Sequence, residues 1–184
     1  MVGITALWLP ILVSAVVVFL ASWVIHVLLP YHRNDFRQVP AEDKVMDALR
    51  PIPPGDYVLP HARGMQDMKN PEFIAKRTKG PIAVLTVVKG GPITMAPELS
   101  QWFVYCLVIT VFAAYVAGRA LGPGSEYLSV FRFVGVSAFL GYAGALAQNS
   151  IWFKRGWGYT LKSAFDGLVY ALLTAGVFGW LWPD

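Results

Sequence analysis

Four apolar stretches, each about 20 residues long, constrain the fold of this chain more than any other feature of its sequence. They lie at Pro10–Leu29, Leu99–Ala120, Tyr127–Gln148 and Thr160–Trp182. A helix of that length crosses the hydrocarbon core of a bilayer. The chain of 184 residues is 56% hydrophobic, and its mean hydropathy of +0.52 is high for a soluble domain. The sequence therefore predicts an all-α integral membrane protein built as a bundle of four transmembrane helices.

The predicted organisation of the chain follows from these stretches. Residues 1–29 form the first transmembrane helix, and residues 99–184 form a three-helix membrane bundle with spans at about 99–120, 127–148 and 160–182. Residues 30–98, between them, hold ten of the thirteen prolines. In this proline-rich segment we predict a short helix at about 41–50 and a strand at about 82–88. We expect the segment to cap the cytoplasmic face of the bundle or to bind a neighbouring protein, because it has too few apolar residues for a core of its own.

The distribution of basic residues predicts the orientation of the chain, because Lys and Arg near the ends of spans stay in the cytoplasm. The segment 30–98 and the link before the fourth span carry Arg33, Arg37, Lys44, Arg50, Arg63, Lys69, Lys76, Arg77, Lys79, Lys89, Lys154 and Arg155. The N-terminal tail, the 121–126 turn and the C-terminal Trp-Pro-Asp carry none, although Arg119 and Arg132 flank that turn from inside the spans. We therefore expect a multi-pass membrane protein with both termini outside the cytoplasm and residues 30–98 in the cytoplasm.

Small residues recur at every fourth position along the last span. This row consists of Ser163, Gly167, Ala171, Ala175 and Gly179, and the third span repeats the spacing at Ser137, Gly141 and Ala145. Lipid tails are as apolar as leucine, so helices associate in a membrane through the close contact that small side chains permit. The rows are expected either to pack spans two to four together or to offer an exposed docking face to another subunit.

Four charged residues fall inside the predicted spans: Asp166 and Lys162 in the fourth, Arg132 in the third and Arg119 at the end of the second. Charges at membrane depth are costly and mark sites of structural or functional importance. We predict a local ion pair between Asp166 and Lys162, which lies four residues earlier; a proton-relay or ligand-binding role for Asp166 is the alternative. Arg132 is expected to pair with Glu126 or to extend to the outer interface.

His26, near the cytoplasmic end of the first span, is the one candidate cofactor-binding residue. Ser22, four residues earlier, leaves room for a planar macrocycle such as haem or chlorophyll over a helical histidine. The alternative is a structural histidine held by hydrogen bonds. Polar residues at a similar depth are Gln148, Asn149 and Asp166. His32, which follows the end of the span, is expected to be solvated or at the interface.

The sequence lacks the motifs of catalysis, metal binding and nucleotide binding. It contains no CxxC, HExxH, Gly-x-Ser-x-Gly or phosphate-binding glycine loop. The single cysteine, Cys106, excludes an internal disulfide. No basic stripe with interleaved aromatic residues indicates nucleic-acid binding. We therefore predict no catalytic residue and no metal site. The expected partners are membrane lipids and other integral membrane subunits, with a bound lipid or pigment compatible with the sequence.

Three stretches, HVLLPYHRNDF, SEYLSVFRFVGVSAFLGY and FDGLVYALLTAGVFGWLWP, resemble a family of small bacterial inner-membrane proteins with four predicted spans and no assigned function. The resemblance covers nearly the whole chain. It implies a four-span protein of the bacterial inner (cytoplasmic) membrane, in which the predicted orientation places the N- and C-termini in the periplasm. It implies no particular activity, so no functional residue is carried over from it.

These observations leave three functional hypotheses. The first is a non-catalytic accessory or structural subunit of a larger inner-membrane complex of the respiratory or photosynthetic type. The small-residue rows, the docking-type segment and the lack of a catalytic motif favour it. The alternatives are a small oligomeric transporter or channel that uses Asp166, and a pigment- or haem-binding membrane protein that uses His26. No enzymatic activity is predicted.

Overall fold

The computed structural model describes all of residues 1–184 and divides them into two compact units. One unit, here called the membrane unit, consists of Met1–Asp35 and Thr94–Asp184, and the other consists of Phe36–Ile93. Four helices of the membrane unit are long and apolar enough to cross a bilayer; they are Ile4–Leu28, Ala96–Ala120, Tyr127–Ile151 and Trp157–Trp180. The predicted fold class, a bundle of four transmembrane helices, is therefore confirmed.

The regular elements follow one another along the chain in a simple order. The helices are α1 (Trp8–Trp23), α2 (Glu42–Leu49), α3 (Pro71–Lys79), α4 (Ala96–Ala120), α5 (Tyr127–Ala143), α6 (Ala147–Ile151) and α7 (Trp157–Trp180). The strands are β1 (Gly55–Leu59) and β2 (Ala83–Val87). The third span is predicted as a single helix at 127–148, but a turn at 144–146 separates α5 from α6.

The first span continues α1 at both ends with helical turns of other types. A 3₁₀ turn, Ile4–Leu7, precedes α1, and a π turn, Val24–Leu28, follows it. Pro30 then begins a separate 3₁₀ turn, because proline has no N–H to donate to the preceding helix. The residues after Pro30 therefore do not continue the helix of the first span.

The four spans pack in a closed ring. α1 packs against α4 and α7, and α5 packs against the same two helices. Every span contributes side chains to one interior. Among the largest fully buried are Leu7, Val18, Thr110, Val134 and Phe178. The membrane unit therefore has a single, side-chain-filled core.

Both chain termini lie at the same end of the bundle as the 121–126 turn. The backbone N–H of Val2 donates to the carbonyl of Gly118 at 2.7 Å. At the other terminus, the indole N–H of Trp182 donates to the carbonyl of Gly122 at 2.9 Å. These hydrogen bonds tie the two termini to the end of α4 and to the turn that follows it.

The small residues of the last span approach α5 closely. A Cβ built on Gly167 would lie 3.0 Å from the Cβ of Ala143, and a Cβ on Gly179 would lie 2.6 Å from the ring of Tyr127. Ala171 and Ala175 are buried, whereas Ser163 is partly exposed. The absence of larger side chains at the two glycines therefore permits the contact between α5 and α7.

The small residues of the third span have three different environments. Gly141 faces α4, where a Cβ would lie 2.6 Å from the side chain of Ile109. Ser137 is partly exposed and donates to the carbonyl of Phe133 in its own helix. Ala145 is exposed in the turn after α5. The spacing of four in this span therefore does not correspond to one packing surface.

The unit Phe36–Ile93 contains α2, α3 and a two-stranded antiparallel sheet. The sheet pairs Gly55 with Val87 and Leu59 with Ala83 at its two ends. Helix α2 falls within the predicted helix 41–50 and β2 within the predicted strand 82–88. No residue from 36 to 93 is buried, so this unit lacks a core of its own.

Candidate functional site

His26 is presented by the π turn that ends the first span. In this turn the N–H of Leu29 donates to the carbonyl of Val24, five residues back, at 3.2 Å. Such turns are frequent at functional sites. Nδ1 of His26 lies 2.9 Å from the carbonyl oxygen of Ser22. Because a carbonyl only accepts, Nδ1 carries a proton, and Nε2 is the nitrogen with a free lone pair when the ring is neutral.

The residues after Pro30 surround the buried carboxylate of Asp166 on α7. The hydroxyl of Tyr31 donates to Oδ1 of Asp166, and Nε2 of His32 lies 2.8 Å from Oδ2. Nδ1 of His32 lies 2.5 Å from a carboxylate oxygen of Asp35, so its ring bridges two carboxylates. Burial and the neighbouring Asp166 raise the pKa of Tyr31, so its hydroxyl keeps the proton that it donates.

Lys162, one turn before Asp166 on α7, completes this arrangement. Its ammonium group lies 2.7 Å from Asp35 and donates to the carbonyl of Tyr31 at 2.6 Å. The hydrogen bonds from Lys162 and His32 hold the pKa of Asp35 below its ordinary value. Asp35 is therefore ionised at neutral pH. The polar cluster, defined as Tyr31, His32, Asp35, Lys162 and Asp166, joins the end of the first span to α7.

Ser22 and Trp102 hold the turn that carries His26 against α4. The indole N–H of Trp102 donates to the hydroxyl of Ser22 at 2.8 Å, and this hydroxyl donates to the carbonyl of Phe19 at 2.7 Å. The side chain of Ser22 thus links two helices. The carbonyl of the same residue positions His26.

Two cavities of the membrane unit adjoin His26. An apolar groove of about 430 Å³ is lined by His26, Trp102 and, among others, Phe19, Trp23 and Leu99. A smaller cavity of about 220 Å³ has His26 and Asp166 in its wall, together with aromatic residues that include Tyr105, Tyr142 and Tyr170. His26 therefore lies between an apolar surface and the polar cluster.

The prediction of an ion pair between Lys162 and Asp166 is wrong. Lys162 pairs with Asp35, and Asp166 accepts hydrogen bonds from Tyr31 and His32. For His32, expected to be solvated or at the interface, the first alternative is wrong, because only 12% of its side chain is exposed; the second stays a prediction. The partners of Asp166 come from residues 31 and 32 after the end of the first span, and not from its own helix.

The other polar residues singled out from the sequence lie outside the cluster. His26 bonds to Ser22 and stacks on the ring of His32 at a centroid distance of 4.8 Å, so Gln148 and Asn149 are not its partners. Arg132 is exposed on α5 and forms no ion pair with Glu126. Its exposed position agrees with the alternative, in which the side chain extends to the interface.

The site can exchange protons and hold a cation, but it contains no activated nucleophile. The ring of His32 between two carboxylates can carry a proton on each nitrogen, with Tyr31 and Lys162 as further donors. His26, His32 and Asp166 each offer one metal-ligating atom, and these atoms lie within 4.8 Å of one another. Tyr31 and Asp35 were missed in the sequence; the polar run that follows Pro30 is the signal that marks them.

No protein-family model, curated protein or solved structure matches this chain.

Proposed function

We propose that the chain is a non-catalytic accessory subunit of a larger bacterial inner-membrane complex, of the respiratory or photosynthetic type. Residues 36–93 are the part that docks onto a partner protein of that complex. The observation that carries the proposal is that none of these residues is buried, although many are large and apolar. Val88 is 76% exposed, Met65 73% and Ile93 97%. Exposed apolar surface of this extent is typical of interaction sites.

The outward face of the small sheet supports this proposal. Val58 on β1 lies opposite Val84 on β2, and the two side chains are 39% and 47% exposed. A two-stranded sheet is at best marginally stable in water unless something covers it. A partner that covers the two valines removes apolar surface from water and stabilises the sheet at the same time.

The packing of the membrane unit favours assembly over transport by one copy. Fully buried side chains from all four spans fill its interior, among them Val18, Val134 and Phe178. Asp166, the residue on which the transport hypothesis depends, is bonded to residues that follow the end of the first span. It therefore belongs to a contact between helices at one end of the bundle.

The proposal includes a location and an orientation. The chain resides in the bacterial inner membrane, with residues 36–93 in the cytoplasm and both termini in the periplasm. The positive-inside rule supports this orientation, because the basic residues are concentrated in the segment between the first two spans and in the 152–156 link. The hydrogen bonds that tie both termini to one end of the bundle support it as well.

Replacing the two exposed valines of the sheet with threonine should release the partner. Val58→Thr combined with Val84→Thr keeps the β-branched shape and removes apolar area. We expect the fraction of chain that co-migrates with the complex on a native gel to fall about tenfold, which corresponds to about 1.4 kcal/mol. The wild-type chain, extracted in mild detergent, should migrate well above its own 20.3 kDa together with a constant set of proteins identified by mass spectrometry.

The matched control is Val104→Thr combined with Val136→Thr. These valines are 56% and 62% exposed, but they lie on α4 and α5 within the spans. The control should retain the complex. If the wild-type chain migrates alone, or if both double variants lose the complex equally, residues 36–93 are not the docking surface.

A further inference from the structure

The polar cluster and His26 bring together three side chains of the types that bind transition metals. His26 and His32 come from the end of the first span and Asp166 comes from α7. One ligating atom of each lies within 4.8 Å of the other two. Both histidines and the aspartate belong to the same compact unit. Two imidazole nitrogens and one carboxylate oxygen form a donor set that is common at zinc and non-haem iron sites.

The hydrogen bonds around these three residues orient them as metal ligands are oriented in proteins. A ligating histidine almost always donates its other ring N–H to a carboxylate or a backbone carbonyl. His26 donates from Nδ1 to the carbonyl of Ser22, and His32 donates from Nδ1 to the carboxylate of Asp35. Tyr31 occupies Oδ1 of Asp166, and Oδ2 faces Nε2 of His32 at 2.8 Å. Each candidate ligand thus has its outer position filled, and a metal ion would replace the hydrogen bond that joins Nε2 of His32 to Oδ2 of Asp166.

The charges in the site favour a divalent cation. With both histidines neutral, the carboxylates of Asp35 and Asp166 and the ammonium of Lys162 sum to one negative charge. Nδ1 of His32 lies 2.5 Å from Asp35, so the imidazole and both carboxylates are held close together around the place that a cation would take.

The distances between the three ligand atoms are close to those found around a bound zinc ion. Nε2 of His32 and Oδ2 of Asp166 are 2.8 Å apart, and the whole set lies within 4.8 Å. Ligands on a tetrahedral zinc ion, each bound at about 2.0–2.1 Å, lie roughly 3.4 Å from one another. The side chain of His26 is exposed, so its ring can rotate toward the other two ligands. The separations within the set, now up to 4.8 Å, must then shorten to about 3.4 Å.

We propose that His26, His32 and Asp166 bind one divalent transition-metal ion of the zinc class. The ion fastens the end of the first span to α7. Hard cations such as Mg²⁺ and Ca²⁺ are excluded as the natural ligand, because they prefer all-oxygen sites. Three protein ligands leave a fourth position open to water. This proposal stands on different residues from those of the docking surface, so either one can fail alone.

Zinc titration of the purified full-length chain tests the proposal. The chain carries an affinity tag without histidine, is stripped with a chelator in detergent, and is titrated with Zn²⁺ against a fluorescent zinc indicator. We expect one zinc ion per chain with a dissociation constant of about 1 μM or lower, unaffected by millimolar Mg²⁺. His26→Gln should weaken binding by at least roughly 100-fold, and Asp35→Asn by about 10–100-fold.

The control variant is His61→Gln, since His61 is the third and last histidine of the chain and lies in the other unit. It should bind zinc as the wild type does. A second readout is the visible absorption of Co²⁺ bound in a tetrahedral site with nitrogen and oxygen ligands, which the wild type should show and His26→Gln should lack. Zinc binding by the wild type that is no tighter than that of His26→Gln, or an equal loss in His61→Gln, overturns the proposal.

Discussion

Replacing Asp166 with alanine is expected to lower the unfolding temperature of the membrane unit by roughly 6–12 °C. The substitution removes the acceptor of the Tyr31 hydroxyl and of Nε2 of His32, both of which are largely withdrawn from solvent. It also leaves Lys162 and His32 with the single carboxylate of Asp35 as their shared partner. Removing one partner of a buried pair costs about 3–5 kcal/mol, and the lower value applies at a cluster near the end of a span.

The fully buried Cys106 provides the measurement. It is the single cysteine of the chain and lies on α4, so a thiol-reactive fluorescent dye in detergent solution reports when the bundle opens. The matched control is Asp47→Ala, which removes an ion pair with Arg50 whose two side chains are more than 70% exposed. That exposed pair contributes about 0.5 kcal/mol or less to the free energy of unfolding. Equal unfolding temperatures for the two variants would show that the polar cluster does not stabilise the bundle.

Gly167→Leu is expected to separate α5 from α7 and to lower the unfolding temperature by roughly 5–10 °C. The first added carbon would already lie 3.0 Å from the Cβ of Ala143 and 3.3 Å from that of Tyr142. The remaining carbons of leucine then need space that α5 occupies. Overpacking of this kind costs about 1–3 kcal/mol or more, and in lipid no gain from burying leucine offsets it.

A second glycine on α7 provides the matched control for this prediction. A Cβ on Gly158 meets no atom within 4 Å, so Gly158→Leu should be tolerated and its better helix propensity should stabilise the helix slightly. The dye reaction of Cys106 again gives the unfolding temperature. If the unfolding temperature of Gly167→Leu is no lower than that of Gly158→Leu, α5 and α7 do not approach each other closely at Gly167.

The four spans could be predicted because the signal is local. Each is a continuous apolar stretch of sufficient length, and in a bilayer that length by itself favours a helix, since every backbone polar group must be bonded within the segment. The ends of the spans were less predictable. The turn at 144–146 that interrupts the third span contains Gly144 but no proline, and small residues on either side continue the spacing of four past the end of α5.

The polar cluster could not be predicted because its contacts depend on tertiary structure. Tyr31 and His32 lie 135 and 134 residues from Asp166 in the chain. Their meeting depends on the turn at Pro30 and on the packing of α1 against α7. From the sequence, Lys162 at a spacing of four was the nearest opposite charge to Asp166, and a helix places such residues side by side. In the structure Asp166 contacts Tyr31 and His32 instead, and these two residues satisfy both oxygens of its carboxylate.

The metal-ligand set was missed for a related reason. Sequence motifs for metal sites rely on short fixed spacings within one element. Here His26 belongs to a π turn, His32 to a separate 3₁₀ turn and Asp166 to the fourth span. No fixed spacing connects the three residues. They come together only in the tertiary structure, where the end of the first span contacts α7.

In the proposed layout, a four-span bundle has residues 36–93 on the cytoplasmic side of the membrane. Reporter fusions in a Gram-negative host test this layout directly, because alkaline phosphatase is active only in the periplasm. A fusion after Asp184 should give an active phosphatase, and a fusion after Lys89 should give an inactive one. An inactive enzyme after Asp184 together with an active enzyme after Lys89 would contradict the layout and, with it, the cytoplasmic docking of residues 36–93.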